Sequence, residues 1–169
     1  MMVLAAATGF ADNAPDCLDK NSPIPVINDQ VLDWKTSTAN QYRQRAHIAG
    51  KIAGIYPNEN GHQHFAIQIG SDKTDLIEVI YNTSFGRLPR LSIDMDVEAC
   101  GDYITSNAQA GPYPPSPVGA IIHWIHRSPN LEKHESGYLM IDGTLYGQDA
   151  EKAGPKKPRP RQFSELFAQ

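Results

Sequence analysis

The chain lacks most of the features that assign a protein quickly. Its 169 residues hold two cysteines, Cys17 and Cys100, too far apart for a zinc ribbon or a Cys-x-x-Cys redox pair. Aromatic residues make up 8%. No apolar run approaches the ~20 residues of a membrane-spanning helix. An excess of positive charge is also missing: 15 Lys and Arg stand against 19 Asp and Glu, a net −4. A body of that sign argues against steering of nucleic acid by the whole surface, though a local basic groove remains open. There is no Gly-x-Ser-x-Gly elbow, no phosphate-cradling glycine loop and no His-Glu-x-x-His. Serine hydrolases of the elbow type, P-loop enzymes and helical zinc proteases are thereby set aside.

What the chain does have is turn-forming residues, 13 Gly and 13 Pro, on a 40% hydrophobic background. That composition folds, and the length suits one domain. The ends differ from the middle. Residues 1–11 combine an apolar stretch with small residues at Gly9 and Ala11 and read as a possible signal-peptide remnant, without the basic leader such a stretch normally has. They set the expectation of a periplasmic or secreted protein. In an oxidising compartment Cys17 and Cys100 could bridge; in the cytosol they would be two buried thiols. Residues 148–169 form a basic, Pro-rich tail, with five basic and two acidic groups from residue 151 onward, and solvation accounts for it best.

Between the ends the pattern is that of short strands. Residues 12–45 read as an arm with a short helix somewhere in Val31–Arg45. From Ala46 apolar residues alternate, with Gly50 suited to a bend, up to the turn Pro57-Asn58-Glu59-Asn60-Gly61. Strands are expected over His62–Ile69, Asp75–Tyr81, Ser92–Ile104 and Val118–Trp124, with a closing hairpin from Tyr138 to Tyr146. About five strands without alternating helices predict a mainly β fold, a small five-stranded barrel over residues 46–147 with irregular tails.

Six histidines carry the chemistry. His123, His126 and His134 lie within twelve positions of one another, beside Trp124. His62 and His64 share one face of a predicted strand, which puts their rings roughly 7 Å apart. Neutral imidazole ligates zinc, copper or iron, and near neutral pH it gives or takes protons. Phosphodiester hydrolysis needs a base, an acid and positive charge on the phosphoryl group. The histidines with Arg87, Arg90 or Arg127 could supply all three. The plainer alternative makes His123 a satisfied strand residue and leaves His126 and His134 as polar loop groups.

Several motifs together resemble a known family. They are Asn60-Gly61-His62-Gln63-His64-Phe65, Tyr81-Asn82, Val97-Glu98-Ala99-Cys100-Gly101-Asp102-Tyr103, Ile122-His123-Trp124-Ile125-His126-Arg127-Ser128-Pro129, His134-Glu135-Ser136-Gly137-Tyr138 and Gly143-Thr144-Leu145-Tyr146. In order and spacing they resemble domain of unknown function family 3465, small and mostly exported bacterial proteins, over about residues 46–147. The chain departs from that pattern at Ile125, Arg127, Ser128 and Tyr138, where the family has Thr, His, Asp and Trp. The resemblance implies a compact barrel like the oligonucleotide/oligosaccharide-binding (OB) fold and no established activity.

The site expected from these readings has His62, His123, His126 and His134 as catalytic groups, with Trp124, Arg127, Arg87 and Asn82 contacting substrate. A divalent metal such as zinc is one possible cofactor, and nucleic acid or another anionic ligand the expected partner. Three functions follow: a nuclease-like hydrolase of phosphodiesters, an OB-like module binding single strands or saccharide, and a structural metal-binding envelope protein.

Overall fold

The computed structural model describes residues 14–149; the leader-like residues 1–11 and the basic tail from residue 150 lie outside that range. A two-residue hairpin comes first, β1 (Leu18–Asp19) against β2 (Ser22–Pro23), turned by Lys20 and Asn21 with positive φ. It gives regular structure to an arm that composition alone suggested had none.

The helix α1 spans Asn28–Ser37, earlier than the sequence pattern suggests. Side chains explain both limits. The Asn28 amide donates to the carbonyls of Ala49 and Ile69 at 2.7 and 2.8 Å and accepts from the Ala49 N–H, which pins the helix start to the barrel. At the other end the hydroxyls of Thr36, Ser37 and Thr38 bond back to carbonyls three or four residues earlier. Such bonds compete with helix continuation, and Gln41 then takes φ 68°. Val31 is buried, and Trp34 packs 5.5 Å from the Tyr103 ring.

The remaining strands are β3 (Arg43–Ile55), β4 (His62–Gln68), β5 (Leu76–Asn82), β6 (Asp96–Thr105), β7 (Ala120–His123), β8 (Tyr138–Ile141) and β9 (Thr144–Tyr146). The chain is mainly β and closes a five-stranded, OB-like barrel in the order β3-β4-β5-β7-β6, with β6 pairing back onto β3. The β5–β7 contact is parallel and the other barrel pairings are antiparallel. Closure depends on the length of β3. Residues 43–51 pair with β6 and residues 51–55 with β4, so one 13-residue strand serves two neighbours. Gly50 lies at this corner against the Gln68 carbonyl, where a Cβ would have no room. The register shift itself falls later, between Ile52 and Gly54.

Three expected boundaries need correction. β3 begins at Arg43, not Ala46, so Arg43 and Arg45 belong to the barrel. β6 begins at Asp96 instead of Ser92, because Asp94 has φ 69° and breaks the extended run. β7 stops at His123, since Trp124 has φ 52°. Inside the barrel Ile48, Ile52, Phe65, Ile67, Val79 and Ile122 are fully buried or nearly so. The alternate residues of those strands face outward. Cys17 and Cys100 are joined by a disulfide that ties the arm to β6, beside Tyr138 and Met140 in a second apolar cluster.

Candidate functional site

The site occupies the outer face where β4 begins and β7 ends. His62 and His64 project outward from β4, their ring centroids 6.5 Å apart. His123, on the outer face of β7, brings its ring within 5.8 Å of His62. The chain then turns at Trp124, whose positive φ is an outlier for a bulky side chain. That turn is over-determined. Ile125 is buried in the core, the Gly137 N–H donates to the His126 carbonyl at 2.7 Å, and the Arg127 N–H donates to the Gly147 carbonyl at 2.6 Å. A Cβ at Gly137 would strike the Trp124 carbonyl, and one at Gly147 the Ile125 carbonyl. These two glycines let the loop seat so closely that Trp124 is forced outward.

From there the rings form an unbroken run. Trp124 lies 4.7 Å from His123 and 5.7 Å from His134, and His134 meets His126 edge-on at 5.3 Å. His126 stacks on Phe85 at 3.6 Å between centroids, nearly parallel. The Arg43 guanidinium sits over the Trp124 ring at 4.6 Å, a cation–π contact. The structure thus brings His62, His123, His126, His134 and Trp124 together.

The ring nitrogens have definite roles. Nδ1 of His62, His126 and His134 meets the carbonyls of Asn60, Arg127 and Glu135 at 3.1, 2.9 and 2.9 Å. A carbonyl only accepts, so Nδ1 carries the proton, and in the neutral ring the lone pair belongs to Nε2. Three imidazoles are therefore held in the same tautomer by local backbone. His123 differs. Burial first, then the neighbouring His62, His126, His134 and Arg43, push its pKa down to about 4, so it is neutral at physiological pH. His64 is held by the buried Glu78, whose carboxylate accepts from its Nδ1 at 2.8 Å. Among the described residues no three His, Cys, Asp or Glu side chains are grouped so as to hold a metal ion.

The other expected residues divide. The Asn82 side chain accepts from the N–H and hydroxyl of Ser84 at 2.9 and 2.7 Å, capping a 3-10 turn over Thr83–Phe85. That turn carries Phe85, which lies under His126. Arg127 and Arg87 are exposed, and no ion pair among the described residues involves either. Sequence reasoning missed Arg43, Phe85 and Glu78. Arg43 was placed in the arm. Phe85 and Glu78 become visible only when the register of β5 against β4 and β7 is known.

A shallow cleft of about 420 Å³ adjoins the ring cluster and shares Arg43 and His134 with it. Its base is organised by Arg45, which is buried. That guanidinium donates to the Leu18 carbonyl, to Asp102 and to the Ser136 carbonyl at 2.8, 3.1 and 2.5 Å. One side chain thereby joins the arm, β6 and the loop that carries His134. No protein-family model, curated protein or solved structure matches the chain.

Proposed function

We propose that this is an exported phosphodiesterase acting on nucleic acid, with His62, His123, His126 and His134 as its working imidazoles. The observation that carries the reading is the convergence of four histidines from three separate segments onto one outward-facing patch with Arg43 and Trp124. Packing alone does not call for such a gathering, and imidazoles with an adjacent guanidinium are the equipment of general acid–base attack on a phosphoryl group. The Cys17–Cys100 disulfide supports an oxidising compartment, and the motifs that resemble family 3465 point to the same exported barrel setting. Incubating the purified chain with plasmid, single-stranded DNA and RNA, with and without chelator, between about pH 5 and 8 tests it. Cleavage lost in His123→Ala and His126→Ala is the expected result. Failure to cut any of the three substrates ends this reading.

A second reading has its own support. On OB-like barrels this sheet face and its loops grip single strands or sugars, and Trp124 with Arg43 offers an aromatic and a cation in contact. Salt-dependent retention of single strands without cleavage would favour it. The third reading, a structural metal protein, has less behind it, since the described residues provide no three-ligand grouping.

A further inference from the structure

We propose that the substrate is single-stranded RNA, cut by attack of its own 2′-hydroxyl with His62 and His134 as the acid–base pair; this rests on the phosphodiesterase reading above. The first support is which rings remain for chemistry. His126 is buried and stacked on Phe85, which suits a supporting role. His123 sits between the others as a neutral ring. His62 and His134 are the two whose Nδ1 is anchored to a backbone carbonyl and whose rings are more open to solvent than that of His126. Each presents Nε2 as the group that exchanges a proton. They flank His123, on whose charge both act, and the rings of His123 and Trp124 run between them; the pairing requires the phosphodiester to lie over these two rings.

The second support is energetic. Activating water against a DNA phosphodiester asks for more than imidazoles, which contribute roughly 10²–10⁴-fold as general acids or bases. Among the described residues no three His, Cys, Asp or Glu side chains are grouped to hold a metal that would supply the rest. RNA brings its own nucleophile. An intramolecular hydroxyl is worth an effective concentration on the order of 10⁵–10⁸ M, so an imidazole pair suffices. In the step, one Nε2 takes the 2′-hydroxyl proton as the O2′–P bond forms. The P–O5′ bond breaks, and the other imidazole, protonated, passes its proton to O5′. The products are a 2′,3′-cyclic phosphate and a 5′-hydroxyl, with no water consumed. In-line alignment of O2′, phosphorus and O5′ requires an unstacked strand, and Arg43 over Trp124 supplies a cation and a ring to hold one.

The test uses the full chain, in chelator, on a DNA oligonucleotide carrying a single ribonucleotide and on its all-DNA and 2′-O-methyl counterparts. Cleavage only at the ribonucleotide, leaving a 2′,3′-cyclic end, is expected. His62→Gln and His134→Gln should each slow it on the order of 10²-fold or more. Replacing O5′ by sulfur, a leaving atom that needs no proton, should restore the rate in whichever variant has lost the acid. Cutting at deoxy positions, or 5′-phosphate ends, overturns the RNA assignment while leaving a phosphodiesterase. No cutting of any strand removes both readings. Absence of sulfur rescue in either variant removes the His62/His134 pair.

Discussion

Acidification should destabilise this fold through one ring. His123 has its pKa pushed down to about 4 from the ordinary 6.5, first by burial and then by the neighbouring His62, His126, His134 and Arg43. In the unfolded chain the ring titrates near its ordinary value. Between those two pH values the unfolded state binds a proton that the folded state refuses, so stability rises with pH across the window and falls as pH is lowered through it. At 1.36 kcal/mol per pH unit the full loss is about 3 kcal/mol, and about 2 kcal/mol of it should appear between about pH 7 and pH 5. Solvent reaching the rim of the ring trims these figures.

The assay is urea unfolding of the native chain and of His123→Gln at both pH values. Glutamine keeps a polar, neutral side chain and removes the titration. The native chain should lose about 2 kcal/mol more than the variant on acidification. The carboxylates do not obscure the comparison. Glu98, for instance, has its pKa lowered chiefly by the hydrogen bond from His47, so its stabilisation is present above the unfolded carboxylate pKa of 4.5 and goes only as pH falls further. If native and variant chains lose stability equally between about pH 7 and 5, the ring is not held neutral by its surroundings and the description of the site is wrong.

Two other perturbations read different links. Replacing Cys17 and Cys100 by serine opens a loop whose ends are 83 positions apart, and chain entropy puts the loss at about 4.5 kcal/mol. Thermal melting measures it, and the proposed RNA cleavage should fall as well, because the arm reaches the His134 loop through Arg45 and through the Asn21 N–H to Glu135. Unchanged cleavage in the variant would show that the arm does not support that loop. Trp124→Gly relieves a left-handed conformation worth about 1 kcal/mol while deleting the ring between Arg43 and His134. Folding stability should therefore hold within about 1–2 kcal/mol, while strand binding by fluorescence anisotropy weakens at least about tenfold. Loss of the fold would make Trp124 a core residue.

Strand patterning made the barrel legible, because alternation over His62–Gln68 and Leu76–Asn82 reports a half-buried sheet directly. Closure was not legible in the same way. It depends on β3 pairing with both β4 and β6, and no local signal says that one strand serves two partners. Boundaries failed where single residues take positive φ: Asp94 and Trp124 carry no glycine to announce it. At the site, the histidines stood out by type and proximity in sequence. Arg43, Phe85 and Glu78 did not, because each acquires its role through register or a loop seated from elsewhere. Asn82 also caps the turn at Ser84, a role that a strand-end asparagine next to serine announces equally well.

An acidic chain and a site proposed to take anions are compatible only if charge is distributed unevenly over the surface. Four of the described carboxylates are held by cations or imidazoles: Glu78 by His64, Asp102 by Arg45, Glu98 by His47 and Asp96 by Lys51. Glu98 also accepts from the Tyr138 hydroxyl at 2.5 Å. Two of these pairs, on Glu78 and on Glu98, use His64 and His47, histidines outside the proposed catalytic four. Net charge averages over such pairs and is blind to them. A local potential is set by what remains unneutralised within about a Debye length of ~8–10 Å. At the ring cluster Arg43 supplies a cation over Trp124, and Glu132 and Glu135 line the adjoining cleft with His134. The net negative charge of the chain keeps long-range attraction for polyanions weak. A strand would be retained by contact with Trp124, Arg43 and the imidazoles, with little capture at a distance, which suits short or frayed single strands better than a duplex.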